Sequence, residues 1–570
     1  MMIKRTGWMS VLALLAAGLA GCAGPKTASE EATAHDHDHD ETHAAMTVLP
    51  GSGDSVPLYD DLGSYHRRIA TDSEAAAAWF DQGLRLQYGF NHGEAIRSYR
   101  AALVHDPGCA MCWWGIALAA GPNINAPMDS ASGALAREAI DRARALATDA
   151  PAGERALIEA LAARYADDPT AERAPLDSAY ARQMSEVAAA WPDDPDVLSV
   201  SAAALMNLSP WNYWTGDYDS REPRPDTPTI LARLERAMAV DSDHPGACHY
   251  FIHAVEAAYP ERAVACAERL AGLMPGAGHI VHMPGHIYIR VGRYHDAVVA
   301  NEHAVHADES YIQDQRPGGL YPAAYYPHNY HFMWFAATMA GMSEKALWAA
   351  RQVAPKVPLE VARQIYWVQN VTVLPRLAMV TFGDWAGVLA ETMPPPELPI
   401  ATAMAHYARG VAYAATDRPD EARSELSTVR RIAGELNAAE AGEGPEVVVA
   451  IAESALAGEI AMRSGDPAGA VTHLERAAAL EDGMLYEEPP VWYLPVRHVL
   501  GRALLEANRP VEAEAAYRKD LLRFPANGWS LLGLERALEA QGRPEEAAAV
   551  REERERAWRH ADLELSASRI

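Results

Sequence analysis

With 570 residues and 49% hydrophobic content, the chain can bury a large core. Its formal net charge of −28 argues against a nucleic-acid partner, because phosphate binding requires a basic surface. The charge is compatible with a soluble periplasmic protein and only weakly with cationic partners.

Residues 1–21 read as an export signal. Lys4 and Arg5 form a charged start, and Trp8 to Ala20 form an apolar run too short to span a bilayer comfortably. The run closes on Leu19-Ala20-Gly21-Cys22, which resembles the lipobox of bacterial lipoproteins. That resemblance implies cleavage before Cys22 and lipidation at Cys22, with Ala23 directing the protein to the outer membrane. The expected location is therefore the cell envelope, on the periplasmic face, with membrane contact through the lipid anchor only. Beyond this segment no apolar run reaches the length of a membrane span. Residues 22–57 are polar, acidic and rich in small residues, and predict a disordered tether. Its alternating His35, His37, His39 and His43 form either a weak divalent-metal tract or a solvated spacer.

From Ala76 a spaced pattern begins: Trp79, Gly83 and Leu86, then Ala95, Tyr99, Ala102 and Pro107. These are the offsets of the tetratricopeptide repeat (TPR), a helix–turn–helix unit of about 34 residues, with Gln82 and Leu86 as its weak positions. Small Gly and Ala sites let two antiparallel helices approach, large residues fill the gap, and Pro stops the second helix. The frame returns at Trp113, at Gly285, Gly292 and Ala297, at Gly410, Tyr413 and Ala422, at Gly458, Gly465 and Ala470, and at Gly501, Ala513, Tyr517 and Pro525. Residues 58–560 thus predict an all-α TPR superhelix, with roughly fourteen helix pairs from about residue 70, followed by a tail at 561–570. Breaks in the period mark inserts at 121–129, 207–228, 307–327 and 487–495, and aromatic-rich loops on a rigid scaffold are common binding sites.

Of the remaining cysteines, Cys109 and Cys112 form a lone CxxC with no following His, so haem attachment is not indicated. Four cysteines in an oxidising setting can form two disulfides, or stay as buried thiols, and no second CxxC completes a zinc site.

Histidines concentrate in the middle of the chain. His249 and His253 lie four apart; His279, His282 and His286 lie three and four apart on one helical face; His328 and His331 lie three apart. The whole chain looks like a TPR lipoprotein of bacteria. That resemblance implies a right-handed superhelix of helix pairs whose concave groove takes a protein or peptide segment, and it brings no catalytic residues. It also implies that the second, fifth and ninth residues of each unit face the groove. His279, His282 and His286 take those places in one unit, and His328 and His331 take the first two in the next. His249 and His253 sit one step round their helix from Cys248.

Two functions follow from that placement. One is a scaffold binding a protein or peptide partner through a groove lined by these histidines with Tyr288, Tyr330 and Glu256. The other is a transition-metal site for zinc, copper or iron, because imidazoles at helical spacing chelate such ions. Glu256, Met283 and Asp296 are candidates to complete its shell. HExxH, GxSxG and Walker signatures are absent, so the chain reads more as a binding protein than as an enzyme. Turnover, if any, would be metal-assisted hydrolysis or redox chemistry with Glu256 as base. The five histidines His279, His282, His286, His328 and His331 are expected to converge on one site.

Overall fold

Ser73 begins the first helix pair: its side chain accepts from Ala76 N–H and caps the helix Glu74–Tyr88. Asn91 caps the returning helix His92–His105 in the same way. Between them the small residues of the repeat do their work against one ring. A Cβ at Gly83 or at Gly115 would lie about 2.5–2.6 Å from the Tyr99 ring, so only glycine admits the tyrosine between two successive units. The arrangement recurs near the other end, where Tyr517 packs between Gly501 and Gly533. Gln82, the apparent departure from the repeat pattern, has its own task. Its amide donates to Pro57 O and Ser98 Oγ, and its carbonyl accepts from Tyr59 N–H, tying the entering chain to the first unit.

The computed structural model describes residues 56–570 apart from 169–170, 217–219 and 442–443. The signal, Cys22 and nearly all of the 22–57 tether lie outside the described residues. The chain is an all-α TPR-type solenoid, helix packed on next helix in sequence order. Among the described residues the strands are a two-residue pair, Trp214–Thr215 with Glu222–Pro223, inside the 207–228 insert. No described helix is long and apolar enough to cross a membrane. The cysteines form the pairs Cys109–Cys112 and Cys248–Cys266.

Both ends of the array close on its middle. Helix Glu74–Tyr88 packs against helix Pro245–Val255, where Gly246 leaves room for the Tyr88 ring. From the other end, Trp529 and Trp558 donate their indole N–H groups to Thr338 O and Met339 O, each at 2.9 Å. Arg290 donates to Arg523 O at 2.8 Å. The 561–570 segment is itself docked: Asp562 accepts from Ser343 and Glu344 N–H groups, and Arg569 is buried against Glu459.

Candidate metal centre

Four helices carry the histidines to the middle of this closed array. His249 and His253 project from Pro245–Val255, with Glu256 just past its last turn. His279 and His282 lie on the short helix Gly278–His282, and His286 on Pro284–Arg290, restarted by Pro284. His328 and His331 lie on Tyr326–Met339, entered through a π-helical turn at Tyr321–Tyr325, a form often found at functional sites.

The ring nitrogens converge as two trios. His249 Nε2 lies 3.0 Å from His253 Nε2 and 3.1 Å from His279 Nε2. His282 Nε2 lies 2.8 Å from His286 Nε2, and His328 completes that group, its ring centroid 4.9 Å from that of His282. Within each trio all ligand atoms lie within 4.8 Å of one another. Phe90 covers the first trio, with centroids 4.5 Å from His249 and 5.4 Å from His279. Its φ of +56° is costly for so bulky a residue, by about 1–3 kcal/mol, and holds the ring over the imidazoles. Phe332 covers the second trio at 4.5–5.2 Å from His282, His286 and His328.

Four of the six rings spend their other nitrogen on oxygen. His249 Nδ1 donates to Tyr88 O at 2.6 Å, and His253 Nδ1 donates to Glu256 Oε1 at 3.2 Å. His282 Nδ1 faces Asn301 Oδ1 at 2.7 Å, an orientation fixed because the Asn301 amide N–H donates to Ala297 O at 2.7 Å. His286 Nδ1 lies 2.6 Å from Glu256 Oε2 and 3.0 Å from Glu488 Oε2. A carbonyl or carboxylate only accepts, so each of these Nδ1 atoms carries the proton, and the neutral rings of His249, His253 and His282 turn a bare Nε2 lone pair inward. Such oxygen partners are what fix tautomer and orientation around metal-bound histidines.

Burial, then the neighbouring imidazoles, holds His279, His282 and His328 well below the usual histidine range, and burial with His253 does the same for His249. His286 is the exception. Burial alone would lower it, but the Glu256 carboxylate, followed by Glu488, raises it to about 9. Glu488 is pushed up by burial and by the charge of Glu256, whereas Glu256 is held down, against its burial, mainly by His286.

Several expectations need correcting. The histidines do not line an open groove: all seven are no more than 4% exposed, because both ends of the array and the inserts cover them. His331 does not join the others; it stacks on Trp334 at 5.4 Å. Asp296 pairs with Arg293 at 2.6 Å in a partly exposed contact. Tyr288 lies under Arg293, and Tyr330 donates to Glu309 Oε1 at 2.8 Å, so the contacts of both tyrosines lie away from the trios. Glu256, by contrast, sits between His253 and His286. Sequence spacing placed His249 and His253 at the edge of the site, but they stand at its heart. It gave no sign of Glu488, Asn301, Phe90 or the Tyr88 carbonyl, although Glu488 falls in one of the period breaks.

All four breaks in fact meet here. Trp211 packs edge-on to His253 at 4.8 Å and donates to Ile124 O; Tyr325 lies 4.8 Å from His279 and its hydroxyl accepts from Asn125; Glu488 faces His286. A small cavity of about 40 Å³, lined by Tyr88, Phe90, His92, Ile124, Asn207 and Tyr250 among others, abuts the Phe90 side.

Fold and centre together define a TPR-type helical repeat protein with a buried polyhistidine cluster. No family model and no curated protein matches the chain. Solved structures it resembles include the human IFIT1 dimer with m7Gppp-AAAA, at TM-score 0.31 and 12% identity over 87% of this chain and 92% of that one. Another is the human IFIT1 dimer with PPP-AAAA, at TM-score 0.31 and 13% identity over 86% and 92%. The RNA in those structures belongs to IFIT1. The exclusion of nucleic acid drawn from net charge does not stand, because a whole-chain charge averages over surfaces a nucleic acid never touches.

Proposed function

We propose that this chain is a transition-metal-binding protein, with the repeat array serving as the cage for a buried histidine centre. One contact carries the reading: His249 Nε2 and His253 Nε2 are 3.0 Å apart while both Nδ1 atoms donate elsewhere. Two nitrogen lone pairs held that close, away from water, repel each other. A cation between them turns the repulsion into two bonds, and imidazole nitrogens suit zinc, copper or iron. A packing role explains neither the inward lone pairs nor the oxygen partner behind each of these rings. The peptide-groove reading has no comparable support, since its rings are buried.

The test is elemental analysis of the full chain purified without an affinity tag and with His35, His37, His39 and His43 replaced by alanine. Stoichiometric zinc, copper or iron is expected. It should be lost in the H249A/H253A double variant, with helicity by circular dichroism retained. A parent protein without stoichiometric metal, or a double variant that keeps all of it, sinks the proposal.

A further inference from the structure

Nitrogens bound to one ion at metal–nitrogen distances near 2.0–2.1 Å stand at most about 4.2 Å apart. Within the first trio His249 Nε2 meets His253 and His279 at 3.0 and 3.1 Å, and within the second His282 meets His286 at 2.8 Å. The six rings form two separate ligand sets, not one. What links the sets is not a shared imidazole but a carboxylate: Glu256 takes the Nδ1 proton side of His253 on one oxygen and of His286 on the other.

We propose that the centre holds two transition-metal ions, one in each trio, with Glu256 between them as a shared hydrogen-bond acceptor and not as a ligand. This rests on the metal reading of the same histidines. Each ion then has three neutral nitrogen donors and an open position for water or another small ligand, the arrangement of a reactive site and not of a closed structural one. Neutral donors leave the ionic charge uncompensated, and two such ions repel in a buried space. Glu256, buried between His253 and His286, supplies counter-charge, and Glu488 stands beside it against His286. The rival arrangement is a single ion held by Glu256 with the Nδ1 atoms of His253 and His286, the third possible ligand set. It would move the protons of His253 and His286 from Nδ1 to Nε2, give up both hydrogen bonds to Glu256, and leave His249, His279, His282 and His328 without an ion.

The experiment uses the full chain with the four tether histidines replaced, stripped by chelator and titrated with zinc or copper ions. Bound metal is counted by native mass spectrometry and elemental analysis. Two ions per chain are expected in this parent, one each in H279A and H328A, none when both are replaced, and two in H331A. One ion in the parent overturns the two-ion centre, and the parent count needs no substitution to fold. A single variant that loses both ions overturns the assignment of one ion to each trio. No stoichiometric metal in the parent overturns the metal reading itself.

Discussion

Behind four of the six rings stands an oxygen acceptor: the Tyr88 carbonyl for His249, Glu256 for His253, the Asn301 amide for His282, and the carboxylates of Glu256 and Glu488 for His286. Asp308 does similar work one step further out. It accepts from the Tyr321 hydroxyl at 2.8 Å and the Asn329 amide at 2.7 Å, and that hydroxyl in turn accepts from His279 N–H. Burial raises the Asp308 carboxyl to about 7. The folded chain therefore keeps a proton that the unfolded chain releases near pH 4, the usual aspartate range. This group's contribution to stability is fully present below about pH 4 and is lost as pH rises towards about 7. D308N cannot titrate, so the parent should gain stability relative to it on acidification from pH 7.5 to 5, by up to a few kcal/mol. Thermal melts of both proteins across that range check this; a difference that does not vary with pH counts against a raised carboxyl. The spacing of His279, His282 and His286 was legible in the sequence because helical periodicity is local. The acceptors were not, because Tyr88 and Glu488 come from opposite ends of the chain.

At the scale of single elements, glycines and period breaks shape the centre. Gly278 opens the helix carrying His279 and His282, and a Cβ there would lie 2.0 Å from Asp308 Oδ1. Gly285 leaves room for Asn301, whose amide nitrogen would stand 2.9 Å from an added Cβ. G278A should cost about 1–3 kcal/mol, the usual range for overfilling a packed core. It should also weaken metal binding by displacing His279, while the conservative change at the exposed Gly272, which has nothing within 4 Å, should do neither. Denaturant melts with metal titration of both variants separate the two. The breaks at 121–129, 207–228, 307–327 and 487–495 were readable as departures from the repeat frame. That they meet at one place was not, since a break in period marks where a loop leaves the array but not where it lands.

Over the whole molecule, closure of the array is what buries the site. The last residues take part: Arg569 Nε lies 3.2 Å from Glu459 Oε1, and its guanidinium donates to Val380 O. R569A would leave the buried Glu459 carboxylate only its longer contact to Arg463 at 4.0 Å, and should cost up to about 3–5 kcal/mol, the range for breaking a buried pair. The double variant R569A/E459Q should recover part of that loss. Equal stability of single and double variants in urea melts would mean the pair does not hold the end of the chain in place.

The sequence by itself determined the all-α repeat architecture, the histidine-bearing helices and the places where the period breaks. Each of these is written in short-range spacing: a glycine or alanine where two helices must touch, a histidine every third or fourth residue on one helical face. Only the tertiary structure decided that the stripe is buried and not open to a groove, that His249 and His253 belong at its centre while His331 does not, and that six rings divide into two sets. Those outcomes depend on where the superhelix carries the first unit, the inserts and the last helices. That is a sum of small rotations over hundreds of residues, and no local pattern of residues records it.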